Sequence, residues 1–173
     1  MANAPARVAG VDPPFPREYG NEWNVTRAVA HSRAAYGAVI LAANELNGGT
    51  ELAPRLREVA ILRIGALLEC DYEWSRHVPR ALNAGLTETA LRSIRSGASE
   101  DLEPSQQLVM AYAEAVDSCA VDDELWNSVV GLLTVSQAVE LTALIAFYGQ
   151  MCRILLALRV NIDEDVVGHL DKR

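Results

Sequence analysis

From Asn21 to about Asn161 apolar residues recur at helical intervals almost without interruption, and no segment alternates polar and apolar as a half-buried strand must. That pattern confines the chain to an all-α fold. Glycine and proline mark the seams. The run "NEWNVTRAVAHSRAAYGAVILAANELNGG" reads as one helix that closes on Gly48-Gly49. Pro54 opens the next, where its missing N–H does no harm, and from Val59 to Leu68 only Arg63 is polar, so this helix is expected to be buried nearly all round. A third helix is expected from about Cys70 to Ala84, stopping at Gly85, with a kink at Pro79 where the Ser75 carbonyl loses its donor. A short helix lies between Gly85 and Gly97 with Thr87 as N-cap. Two more follow, "EPSQQLVMAYAEAVDSCA" and "DDELWNSVVGLL", the second opening on acids that suit a helix N-terminus. The last begins with the capping-box pair Thr134 and Gln137 and stays apolar as a core or subunit-interface helix.

A chain of 173 residues that is 50% hydrophobic can bury a sizeable core within one domain. Residues 1–20, with Pro5, Pro13, Pro14 and Pro16, read as an irregular proline-rich arm. Residues 21–162 form the helical domain, and a charged, frayed tail occupies 163–173. A net charge of −8 without a Lys/Arg cluster argues against nucleic acid as a partner. The longest uncharged run, Leu125 to Val139, is shorter than the ~20 apolar residues of a spanning helix, and "MANAPARVAG" has no signal-peptide core. The expected setting is therefore cytoplasmic, with no membrane partner. Three cysteines without a C-x-x-C pair argue against a disulfide framework or structural zinc, and Cys119 and Cys152 read as packing thiols.

Cys70 has different neighbours. Cys70, Glu73 and His77 stand at i, i+3 and i+7, one stripe of a helix. Cys70 falls near the helix N-terminus, where unpaired N–H groups favour a thiolate, and Glu73 can pair with His77 and set its tautomer. Glu58 lies twelve residues before Cys70, about 120° away on one unbroken helix, so a turn near Glu69 to Asp71 is needed to bring it back. Arg63 is the one charge in a buried run and needs a partner, either Glu58 or a substrate carboxylate. Taken singly, each of these residues has a plain structural reading. A metal site is less favoured, because the spacing matches neither His-Glu-x-x-His nor Glu-x-x-His, and one thiolate with two carboxylates suits no common metal. No nucleotide or flavin motif is present, so no cofactor is expected.

Residues 56–86, "LREVAILRIGALLECDYEWSRHVPRALNAGL", resemble the carboxymuconolactone decarboxylase family, which also holds the AhpD-type alkylhydroperoxidases, with weaker likeness in "ELTALIAFYGQMCRILLAL". The peroxidase branch carries Glu-x11-Cys-x2-Cys-x3-His; here that spacing reads Glu58, Cys70, Glu73, His77. Glu73 stands in place of the second cysteine and cannot resolve a sulfenic acid as a disulfide. Cys119 or Cys152 can do so only if the fold brings one within disulfide reach of Cys70. The decarboxylase branch keeps a carboxylate ahead of the histidine and lacks the thiol, so this chain lies between the two. The resemblance implies an AhpD-like helical bundle that assembles as a trimer or hexamer.

Residues and resemblance together point first to a cofactor-free lyase or isomerase acting on a small organic acid or lactone. In that reading Arg63 orients the substrate carboxylate, His77 tuned by Glu73 moves the proton, Glu58 orients or shares it, and Cys70 acts as an acid or polar wall. Trp74 and Tyr148 are candidates for the pocket wall, although both also read as packing aromatics. His31 and His169 are isolated and read as structural. A Cys70-dependent peroxidase or thiol redox protein, and a catalytically silent oligomeric scaffold, are the alternatives.

Overall fold

The structure, a computed structural model, describes residues 6–8 and 23–169. Most of the proline-rich arm lies outside these residues. Within 6–8, the Arg7 amide donates to the Leu158 carbonyl at 3.0 Å and its guanidinium donates to the Ala157 carbonyl at 3.1 Å.

The described residues form eight α-helices and no strand. The helix expected over 21–48 is two: α1 (Asn24–Val29) and α2 (Arg33–Gly48). Ser32 makes the break. It is extended, and its hydroxyl accepts from the Ala35 amide at 3.3 Å, capping α2 from a position the apolar pattern alone runs through. The others are α3 (Pro54–Leu67), α4 (Asp71–Asn83), α5 (Glu88–Ser96), α6 (Pro104–Asp117), α7 (Asp123–Leu132) and α8 (Val135–Leu158). Pro54 and Pro104 each sit in the first turn, and Thr87 and Thr134 cap α5 and α8 through their hydroxyls. Pro79 lies inside α4, which continues past it as one helix to Asn83.

α3 is the centre of the bundle and packs against α4, α5, α6 and α8. Val59, Ala60, Leu62 and Ile64 have no exposed surface, so apolar side chains meet neighbours around the whole helix. At 24 residues, α8 is long and apolar enough to cross a membrane by length and composition; half of its most apolar window is buried inside the bundle, where Leu141, Leu144, Ile145 and Leu155 pack. Burial of each such side chain is worth roughly 1.5–3 kcal/mol, which makes α8 a core helix in this fold.

Two details fix how α4 is presented. The α3–α4 corner turns on Glu69, at φ +51°, and the Cys70 amide donates back to the Gly65 carbonyl at 2.8 Å. At the other end of the chain, a short 3-10 helix (Glu164–His169) packs on α4. The tail expected to fray is bound at its start. Asp163 is 7% exposed and accepts from the Asn24 amide at 2.7 Å and the Tyr72 hydroxyl at 2.5 Å, while that hydroxyl accepts from the Val25 amide at 3.2 Å. This one carboxylate ties the start of α1 and the end of the chain to α4.

Candidate active site

The corner at Glu69 sets α4 antiparallel to α3 and turns the stripe of α4 toward Glu58. His77 Nδ1 lies 2.7 Å from Glu58 Oε2, and His77 Nε2 lies 3.5 Å from Glu73 Oε2. All three residues are at most 5% exposed. A carboxylate can only accept, so Glu58 takes the Nδ1–H and leaves Nε2 as the basic nitrogen, facing Glu73. Burial pushes the Glu73 carboxyl up to about 7; the charges of His77, Arg80 and Arg76 oppose the rise and that of Cys70 adds to it. Glu73 therefore changes its protonation state near neutrality, 3.5 Å from Nε2.

Glu73 and His77 line a half-open cavity of about 220 Å³ between α1, α2, α4 and α8. Tyr148 forms part of the wall, edge-on to the His77 ring at 5.0 Å, with its hydroxyl donating to Asn47 Oδ1 at 3.0 Å. Burial pushes the Tyr148 phenol far up, so it stays neutral. Asn44 also faces the cavity, and its buried Nδ2 has no hydrogen-bond partner among the described residues. Two guanidinium groups complete the lining. Arg76 is engaged, stacked 4.4 Å from the Trp23 ring centroid and paired with Asp165 at 2.9 Å and Asp163 at 3.8 Å. Arg80 lies 5.4 Å from the same ring and forms no ion pair among the described residues. An open groove of about 760 Å³ shares Asn44, Asn47 and Arg80 with the cavity and is lined as well by Glu58, so it leads solvent toward the site.

Three of the candidate site residues lie away from this cavity. Arg63 is not at the cavity: its Nε donates to Glu114 at 2.7 Å and its Nη1 to the Ile94 carbonyl at 2.9 Å. Gly97, at φ +81°, lets the guanidinium in, since a Cβ there would lie 2.8 Å from it. Arg63 thus holds α5 and α6 to α3. Trp74, 1% exposed, points into the bundle with Arg95 stacked 4.6 Å from its ring centroid. Cys70 has no exposed surface and does not line the cavity. It is the N-cap of α4, and its side chain makes no capping hydrogen bond.

The pattern reading does not single out Arg80, Asn44 or Asn47, which also line the cavity. Arg80 was within reach, since it continues the stripe of Glu73 and His77 by one turn. Asn44 and Asn47, three apart on α2, are polar interruptions of an apolar helix. Among the described residues no group of three or more His, Cys, Asp or Glu side chains is placed to hold a metal ion.

Solved structures share this fold. An uncharacterized peroxidase-related protein from Silicibacter sp. matches with a TM-score of 0.79 at 14% identity, covering 96% of each chain. A protein of unknown function from Agrobacterium tumefaciens, described as a candidate antioxidant defence protein AhpD, matches at 0.71 and 19% identity over 77% of this chain and 93% of its own. The apo debrominase Bmp8 matches at 0.70 and 13% identity, covering 94% and 97%. No curated protein matches by sequence. The family model for carboxymuconolactone decarboxylases matches residues 27–115, from α1 through α6 and across Glu58, Cys70, Glu73 and His77. With more than half of its length so matched, the chain belongs to the carboxymuconolactone decarboxylase family.

Proposed function

We propose that this protein is a cofactor-free lyase or isomerase that moves a proton on a small organic acid or lactone. The observation that carries the reading is His77 held between two buried carboxylates, Glu58 on Nδ1 and Glu73 beside Nε2, at the wall of a cavity that also presents a guanidinium.

His77 Nε2, oriented by Glu58, takes a proton from the carbon next to the substrate carbonyl. Glu73, with its pKa near 7, returns a proton to the carbanion or enolate at the end of the step. Arg80 holds the substrate carboxylate, the role first expected of Arg63. Asn44 Nδ2 donates to the carbonyl oxygen on which charge develops, a role supported by its being buried without a partner, a state that costs about 1–3 kcal/mol until an acceptor arrives. The cavity volume of about 220 Å³ restricts the substrate to a compact molecule, and Phe147, Met151 and Val39 give it an apolar side.

The test is proton exchange into deuterated water. A panel of small keto acids and unsaturated lactone acids is incubated with the protein, and loss of the C–H signal next to the carbonyl is followed by NMR. Exchange on at least one acid, lost in His77→Gln and weakened in Arg80→Gln through KM, is the expected result. No exchange on any member, or exchange untouched by His77→Gln, overturns the reading.

A further inference from the structure

Glu58 is a carboxylate with almost no contact with water. Its side chain is 3% exposed, and His77 Nδ1 occupies one of its oxygens, Oε2. The other, Oε1, lies 3.7 Å from Nε of Arg57, the residue before it in the chain. Consecutive residues on a helix point about 100° apart, so this approach is not given by α3 itself. The Arg57 guanidinium is drawn back by α2. Its Nη1 donates at 2.7 Å to the carbonyl of Asn47, one of the last carbonyls of that helix and without a partner inside it.

The same Asn47 reaches the imidazole from a second side. Its Oδ1 accepts from the Tyr148 hydroxyl at 3.0 Å, its Nδ2 donates to the Ala43 carbonyl at 2.7 Å, and the Tyr148 ring stands edge-on to His77. Arg57, Asn47, Tyr148, His77 and Glu58 thus close a circuit drawn from α3, α2, α8 and α4. Charge makes this circuit more than a brace, because a buried carboxylate needs a positive charge beside it. Among the described residues the cations paired with Glu58 are Arg57 and, when protonated, His77. Glu73, on the Nε2 side of the ring, has the charges of Arg76 and Arg80 acting on it. Without Arg57, the positive charge left for Glu58 would be an imidazolium, whose Nε2 already carries a proton and cannot take another.

We propose that Arg57 is a positioning residue of this site: by balancing Glu58 it leaves His77 neutral, with the proton on Nδ1 and Nε2 free, and so makes the imidazole a base. The inference deepens the proton-transfer reading and rests on it for its consequence in turnover. The state of the ring itself is measurable without any substrate. Arg57 does not line the cavity; it acts through Glu58 and, by way of Asn47, through Tyr148. Lysine at this position would keep the charge and lose the planar fork that addresses Glu58 and the Asn47 carbonyl together. Glutamine would lose the charge.

The test is NMR of the ring nitrogens in the full chain, prepared with isotope-labelled histidine. The chain has three histidines, and His77 is assigned by the loss of its signals in His77→Gln. At mildly alkaline pH the wild type should show a neutral His77 ring protonated on Nδ1. In Arg57→Gln the same ring should carry protons on both nitrogens, and in Arg57→Lys the neutral form should prevail. Arg57→Gln combined with Glu58→Gln removes both charges and should return the ring to neutral, a reversal that a merely structural Arg57 would not produce. If Arg57→Gln does not fold, Arg57→Met is read in its place. On an identified substrate, Arg57→Gln should lower kcat by no more than the about 10²–10⁴-fold contribution of the imidazole itself and leave KM unchanged. An imidazolium or an Nε2-protonated ring at His77 in the wild type overturns the proposal, as do ring signals that are the same with and without Arg57. Because no substrate is present, an unchanged ring leaves the proton-transfer reading standing, and a failure of proton exchange leaves the role of Arg57 standing.

Discussion

Glu58 and His77 stand nineteen residues apart in the chain and 2.7 Å apart in space, joined by a hydrogen bond that crosses from α3 to α4. The bond holds the imidazole ring in one orientation and one tautomer, which makes Nε2 the working nitrogen.

Replacing His77 by Ala should lower turnover on an identified substrate by about 10²–10⁴-fold, the contribution of a positioned acid–base group. Glu58→Gln should cost less, because an amide oxygen still accepts from Nδ1–H but no longer balances an imidazolium. Steady-state kinetics of both variants, with circular dichroism to verify the fold, check the order.

Glu73 gives a pH dependence of stability. Its folded-state pKa, about 7, lies above the ordinary carboxylate value, so the folded state binds the proton more tightly than the unfolded chain does. The associated stabilisation is complete below the ordinary carboxylate pKa and is lost as pH rises through about 7. At about 1.4 kcal/mol per unit, the change amounts to a few kcal/mol. Urea unfolding of the wild type between acid and neutral pH should show this decline, and Glu73→Gln should flatten it.

Tyr72 and Asp163 make a buried junction. Tyr72→Phe removes the donor to Asp163 and the acceptor of the Val25 amide together. The expected loss is about 1–3 kcal/mol for each group left unpaired. Thermal unfolding measures it, and limited proteolysis should show earlier cleavage around residues 160–169 than elsewhere.

Arg63 and Arg80 should separate cleanly. Arg63→Ala breaks two hydrogen bonds between α3, α5 and α6 and should destabilise the fold by about 1–3 kcal/mol while leaving affinity for small carboxylates unchanged. Arg80→Ala should do the reverse. Calorimetric titration of both variants beside their melting curves tests the exchange of roles.

Much of this was legible in the residue pattern, and the reason is periodicity. The all-α class follows from spacing alone, and so does the shared face of Glu73 and His77, whereas Cys70, at the N-cap, stays off the cavity. The phase of Glu58 against Cys70 required a turn near Glu69, and the chain turns there. What spacing does not encode is which helices meet. Arg63 illustrates the limit: a charge in an apolar run has to find a partner, yet whether that partner lies on α4 or α6 depends on the packing of α3 among four neighbours. Asn44 and Asn47, which share a cavity with His77, are likewise a matter of where α2 lies. The break at Ser32 was missed because a single capping hydroxyl outweighed an otherwise continuous apolar pattern.

The corner between Leu67 and Asp71 makes the chain length of this hairpin a functional parameter. One residue inserted there would change the register of α4 against α3 and carry the imidazole away from its carboxylate. The loop 98–103 holds no side chain of the cavity that Glu73 and His77 line, and does not set their register. Insertions and deletions across variants of this protein should therefore gather in the later connections and spare this one.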